Sequence, residues 1–211
     1  PKLNGYEVLR GLNPGIIYVS LTGFGHDSPR ADWPAFDLIG QAMSGLMYTV
    51  GRETDPPLPT LSVAADTVPA ILAAYGAMVA LYTRQLTGQG QHVDIAMYDS
   101  MVMLNNFPVN YRSLTGSRLK RQTRGTPGSA PYGPYQARDG YIGIHVAGDA
   151  FWRRFCVAIQ RPDLIEDPRF AVLQERVLHQ EELADIVESW ASDKTATQAS
   201  ELLREAGVAA C

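Results

Sequence analysis

Runs of apolar residues with period two and period 3.6 alternate along this chain, and they meet between Gly88 and Leu104. Val93, Ile95 and Met97 alternate with His92, Asp94 and Ala96, which predicts a strand. Beyond Tyr98, the apolar residues Met101, Val102 and Leu104 fall on neighbouring faces of a helix. Asp99 stands at the switch, just past the carboxyl end of the strand and at the amino end of the helix. Open α/β sheets bind ligands in that crevice. Asp99 has two readings there. One is an N-cap that satisfies free backbone N–H groups; the other is a nucleophilic carboxylate. The stretch alone leaves both open.

Upstream, residues 6–12 predict a short helix stopped by Asn13-Pro14-Gly15. Residues 16–21 form a continuous β-branched run, expected as a strand buried on both faces of a parallel sheet. Thr22-Gly23-Phe24-Gly25 follows as a turn whose glycines let backbone approach a ligand closely. Phe36, Ile39, Met43 and Leu46 recur at helical spacing, with Asp37 as a cap or dipole partner. The strongest helix is expected to be capped by Asp66 or Thr67 and to stop at Gly88. Its apolar face, Val68, Ile71, Leu72, Tyr75, Met78, Val79 and Tyr82, is expected in the core. The helix after Asp99 weakens near Pro108 and ends by Gly116. This order of strands and helices predicts an α/β fold with a parallel sheet.

The pattern changes at Ser117. Residues 117–124 are basic and aperiodic, and residues 125–131 form a Gly/Pro loop, which together suggest a linker into a second domain. Residues 1–117 are then a large α/β domain, 118–130 the linker and loop, and 131–211 a smaller α+β domain. Two alternating runs flank Arg138-Asp139-Gly140, a hairpin signal. Asp149 is expected to cap a helix bearing Phe151, Trp152, Phe155, Cys156 and Ile159, with Cys156 an inert core thiol. Residues 174–190 predict one long helix, and Thr195 or Thr197 starts the last one.

With 45% hydrophobic and 19% charged residues in 211, the chain is globular. A net charge of −4 without a basic stripe argues against nucleic acid. The basic run is read as a solvated linker, with phosphate contact as the alternative. The apolar stretch 68–81 is interrupted by Pro69, Tyr75 and Gly76, so no membrane span is expected, and no secretory signal is visible. Cys156 and Cys211 have neither metal nor disulfide spacing, which suits a reducing cytoplasm. The four histidines are far apart in sequence, and no metal site is expected. The chain starts at Pro1 and stops at Cys211 where a strand could begin, so its ends read as those of a trimmed piece.

With these pieces in place, the chain resembles the family III CoA-transferases. Asn13-Pro14 through Gly25 is similar to the family's "NPxxIYxSxTGFG" stretch, and Gly88 to Asp99 to its "TGxGQxVDxAMxD" stretch. Ala130-Pro131-Tyr132-Gly133 with Asp139-Gly140 resembles its "aPYGxYxxxDG" hairpin. Arg169-Phe170, Arg176 and Gly207-Val208 match further pieces. The resemblance implies a Rossmann-like CoA-binding large domain, an interlaced homodimer, and no permanently bound cofactor, with the CoA thioester as substrate. It implies Asp99 as the nucleophile that carries CoA between an acyl-CoA donor and a carboxylic acid acceptor through an aspartyl-CoA thioester. Thr22, Gly23, Phe24 and Gly25 would line the site. Gly125, Gly128 and Ser129 fall where the family has a Gly-rich loop that covers it.

Three other readings stay open. The α-methylacyl-CoA racemases share the fold but use a His before the aspartate at the Asp37 position and an acid near the small-domain helix. Phe36 and Gly148 stand there instead, and a proton transfer would need other acid/base groups. An intramolecular CoA transfer would keep Asp99. A non-catalytic module would use Asp99 only as a cap.

Overall fold

Residues 5–121 and 124–211 are described by a computed structural model. The chain divides into two compact units, Pro1–Arg121 and Gln122–Cys211. Gln122 and Thr123, which belong to the expected linker, lie outside the described residues.

In the first unit the predicted strands form and pair. β1 (Tyr18–Thr22) and β2 (His92–Ala96) run parallel, with Tyr18 opposite His92 and Thr22 opposite Ala96. The chain crosses between them through α2 (Asp37–Met43), α3 (Leu46–Thr49) and α4 (Ala64–Thr87). The preceding helix is α1 (Gly5–Leu12). Two helices follow β2, α5 (Met97–Leu104) and α6 (Asn106–Thr115). This βαβ order is the expected parallel α/β architecture. Residues 16–21 do not form the doubly buried strand expected. Val19 and Leu21 stay exposed and only Ser20 is buried. Among the described residues the sheet has two strands, so each has an unpaired edge.

α4 departs from its expected start and from its expected core face. It begins at Ala64, behind Val63 in the left-handed region, and neither Asp66 nor Thr67 is its N-cap. Its first turn is satisfied from a distance: Asp37, the first residue of α2, accepts the Ala65 N–H on Oδ1 at 2.9 Å. The other carboxylate oxygen of Asp37 accepts from Gln41 at 2.6 Å. The side of α4 that packs inward is made of small residues. Ala65, Pro69 and Ala80 are buried, and a Cβ on Gly76 would lie 2.7 Å from Val93 Cγ1. Close approach on that side turns the large residues outward. Ile71, Tyr75, Met78 and Tyr82 are 65%, 68%, 65% and 64% exposed. By length and composition alone α4 could cross a bilayer, although it packs on β1, β2 and α5.

The helix expected after Asp99 is two helices. Asn105 breaks it and donates from Nδ2 to the Ser44 carbonyl at 3.1 Å. Pro108 then sits in the first turn of α6, where its missing N–H costs nothing. Arg121, from the basic run, is not merely solvated. Its guanidinium donates to the carbonyls of Val50, Glu53, Asp55 and Pro56 and lies 5.1 Å from the Tyr48 ring centroid. It fastens the 50–56 loop.

In the second unit the Asp-Gly hairpin forms as expected. β3 (Tyr132–Gln136) and β4 (Tyr141–His145) are antiparallel, and β5 (Ala209–Ala210) adds to β4. α9 (Gln180–Ala191) and α10 (Ala196–Glu205) pack against this sheet, α7 (Asp149–Ala158) packs on α10, and α8 (Leu173–Leu178) on α9. Tyr135, Ile142, Trp152, Phe155, Phe170, Leu183 and Leu203 fill the core. The N-cap of α7 is Gly148, with Asp149 the first helical residue. The long helix expected over 174–190 splits at His179 into α8 and α9. Arg176 next to that break is fully buried. It donates to the Phe170 carbonyl at 2.8 Å, pairs with Asp149 at 3.1 Å, and lies 4.8 Å from the Trp152 ring centroid. Thr195 caps α10 in a reciprocal capping box with Gln198.

Candidate active site

The strand-to-helix switch at Asp99 is built as the hydrophobic pattern suggests, with one difference. β2 ends at Ala96 and α5 begins at Met97, so Asp99 is the third residue of the helix and Ala96 is its N-cap. No side-chain cap bond is made there. The capping reading of Asp99 therefore falls. Its carboxylate is exposed, and no described residue hydrogen-bonds or ion-pairs with it. It stands in the first turn of α5, where the helix dipole favours a negative group. A carboxylate with no protein partner at this position keeps its lone pairs for an incoming electrophile.

Thr22, Gly23, Phe24 and Gly25 are brought beside that turn. The Tyr98 N–H donates to the Gly23 carbonyl at 3.0 Å, tying the turn to the residue before Asp99. Thr22 Oγ1 accepts the Gly25 N–H at 2.9 Å, closing the turn on itself. Phe24 is buried, with its ring 5.9 Å from Trp33 and 6.2 Å from Tyr98. Any side chain at Gly23 would press on Ala35, whose Cβ lies 2.5 Å from the Cβ position.

Gly125, Gly128 and Ser129 lie in the second unit, around the start of the hairpin. The Gly125 N–H donates to the Tyr132 carbonyl at 2.6 Å. Gly125 has φ +73, and a side chain there would overlap the Gln180 amide, so glycine is required on both counts. Thr126 and Ser129 exchange backbone hydrogen bonds at 3.0 and 3.1 Å. Ser129 Oγ lies 3.0 Å from His145 Nε2, and the Tyr132 ring stands edge-on to that imidazole at 5.1 Å. Gly128 is exposed at the tip with open space around it.

At the two positions where a racemase would need acid/base groups, Phe36 is 78% exposed and Gly148 has no side chain. One constellation escaped the sequence reading. His26, His92 and Asp94 come together with a ligand-type atom from each within 4.8 Å of the others. Sequence distance hides the group, because parallel pairing of β1 with β2 is what assembles it. The available signal was the alternation of His92 and Asp94 on one strand.

The family model for CoA-transferase family III matches residues 3–211. The chain is 38% identical over 207 residues to the succinyl-CoA–D-citramalate CoA-transferase of Chloroflexus aurantiacus, covering 98% of this chain and 52% of that protein. It is 38% identical over 203 residues to the succinyl-CoA:mesaconate CoA-transferase of Haloarcula hispanica, covering 94% and 50%. A crystal structure of a CAIB/BAIF family protein from Brucella suis superimposes with a TM-score of 0.81 at 29% identity, covering 98% of this chain and 55% of that one. The chain thus spans about half the length of the curated relatives it matches. The order of its motifs, its parallel sheet followed along the chain by a hairpin unit, and these matches have one conclusion: the chain belongs to CoA-transferase family III.

Proposed function

We propose that the protein containing this chain is an acyl-CoA:carboxylate CoA-transferase, with Asp99 as its nucleophile. The observation that carries this reading is the exposed, unpartnered Asp99 carboxylate in the first turn of α5, fastened to the Thr22–Gly25 turn, in a chain of this family.

The chemistry runs as successive acyl transfers. An Asp99 oxygen attacks the thioester carbonyl of the donor. The C–S bond breaks, leaving a mixed anhydride and CoA thiolate. The thiolate then attacks the aspartyl carbonyl, expelling the donor's carboxylate and leaving an aspartyl-CoA thioester. The acceptor carboxylate attacks that thioester, releasing thiolate and forming a second anhydride. Attack of thiolate on the acceptor's acyl carbon yields the new acyl-CoA and restores the Asp99 carboxylate. Each tetrahedral step develops an oxyanion that needs donors in place. Thr22–Gly25 lines the site in this reading, beside the first turn of α5. The CoA thioester is substrate rather than a resident cofactor.

Both relatives named above carry succinyl-CoA in their names, so succinyl-CoA is the first donor to test, with C4 and C5 dicarboxylic acids as acceptors. A cytoplasmic homodimer belongs to the same reading. The apolar face left open on α4 is surface that a second copy would cover. In the full-length enzyme, Asp99→Ala and Asp99→Asn are each expected to lower kcat by about a thousandfold or more, as loss of a covalent nucleophile does. Transfer within tenfold of wild type in Asp99→Ala would end the proposal.

A further inference from the structure

One face of the β1–β2 sheet carries a polar group that the transfer chemistry does not use. His92 and Asp94 are two residues apart on β2, so the pleat sends both to the same face. α4 packs on the opposite face, where Gly76 meets Val93. Ser20, opposite Asp94 in the parallel register, places its hydroxyl 2.7 Å from His92 Nε2. The His92 ring is held further by aromatic neighbours, Tyr6 stacked at 5.4 Å and Tyr18 tilted at 5.4 Å. The chain leaving β1 then brings in His26. Its backbone N–H donates to Asp94 Oδ2 at 2.8 Å, and its ring centroid lies 5.5 Å from that of His92.

We propose that His26, His92 and Asp94 form a binding site for a divalent first-row transition-metal ion such as Zn²⁺. The donor set is two imidazoles and a carboxylate, which suits such ions over Ca²⁺ or Mg²⁺. Ser20 occupies one nitrogen of His92 and leaves the other for the ion, the usual division of labour between a ligating histidine and its supporting hydrogen bond. Asp94 is held through Oδ2 and keeps Oδ1. The three donor atoms lie within 4.8 Å of one another. Tetrahedral coordination at roughly 2.0–2.1 Å asks for donors about 3.4 Å apart. The exposed His26 ring, which makes no side-chain hydrogen bond among the described residues, supplies that small closure. Three protein ligands leave the fourth position to water or a ligand atom.

Co²⁺ is the probe, since its visible bands report coordination number. The full-length protein, stripped with chelator and dialysed, is titrated with Co²⁺ and then with competing Zn²⁺. We expect one Co²⁺ per chain with tetrahedral-type bands, displaced by Zn²⁺. His92→Ala is expected to weaken binding by about a hundredfold, and Ser20→Ala by roughly tenfold. His26→Gln keeps the backbone bond to Asp94, so it should fold as wild type by circular dichroism while losing about tenfold or more in affinity. Asp99→Ala should bind Co²⁺ like wild type, which separates this site from the transfer reaction. Wild-type protein without Co²⁺ bands would overturn the proposal, as would His26→Gln or His92→Ala binding as tightly as wild type.

Discussion

At the scale of the residue, Asp37, Gly125 and Arg176 each hold a local arrangement together. Asp37 receives the Ala65 N–H and so starts a helix of 24 residues from outside it. Asp37→Ala removes that acceptor and is expected to cost about 1–2 kcal/mol, read as a lower denaturant midpoint. Gly125 combines φ +73 with contact to Gln180, and Gly125→Ala is expected to cost about 1–3 kcal/mol in the same assay. Arg176 is the cation around which Phe170, Trp152 and Asp149 are arranged. Cys156 tests the core differently. Burial pushes its thiol up to about 12. The folded state therefore keeps a proton that the unfolded thiol gives up above its ordinary value near 9, so this group's contribution to stability falls as pH rises through that window. At pH 8 Cys156 should resist alkylation in folded protein and react only on unfolding, and fast alkylation in the native state would contradict its placement.

The elements show what hydrophobic pattern can and cannot convey. The β2–α5 switch, the Asp-Gly hairpin and the Thr195 cap were legible because each depends on neighbours a few residues apart. The sequence pattern of α4 points to the wrong face for a physical reason. A helix that is apolar all round has no single preferred face in sequence. The choice was made by Gly76, Ala65 and Ala80, whose small size lets the sheet approach. The long helix over 174–190 broke at His179 without Gly or Pro, beside the buried Arg176. The candidate site divides the same way. Asp99 was visible at the period change, and its turn partner Thr22–Gly25 was visible as a glycine turn. Their bond, Tyr98 N–H to the Gly23 carbonyl, is made across the sheet and had no sequence signal. The His26, His92 and Asp94 group was hidden for the same reason. Gly76→Val is expected to force α4 off Val93 and lower the melting temperature by several degrees, corresponding to roughly 1–3 kcal/mol of overpacking.

On the scale of the whole molecule, α4 leaves an apolar face exposed, which a self-contained domain would cover. Ile71, Tyr75, Met78 and Tyr82 make one apolar stripe. Prepared as these 211 residues, the protein is expected to bind a hydrophobic dye strongly. Paired charges, Tyr75→Glu with Met78→Glu, should suppress that signal without loss of helical circular dichroism. Unchanged dye binding in the pair would mean that another surface is responsible.

The central claim is that Asp99 takes CoA onto itself. The direct measurement is peptide mass spectrometry of the full-length enzyme, quenched after brief incubation with succinyl-CoA and, in parallel, other acyl-CoAs. A CoA or acyl adduct is expected on the peptide containing Asp99, and is expected to be absent from Asp99→Asn. A transfer-competent enzyme with its adduct on another residue, or with none at any time point, would contradict that claim.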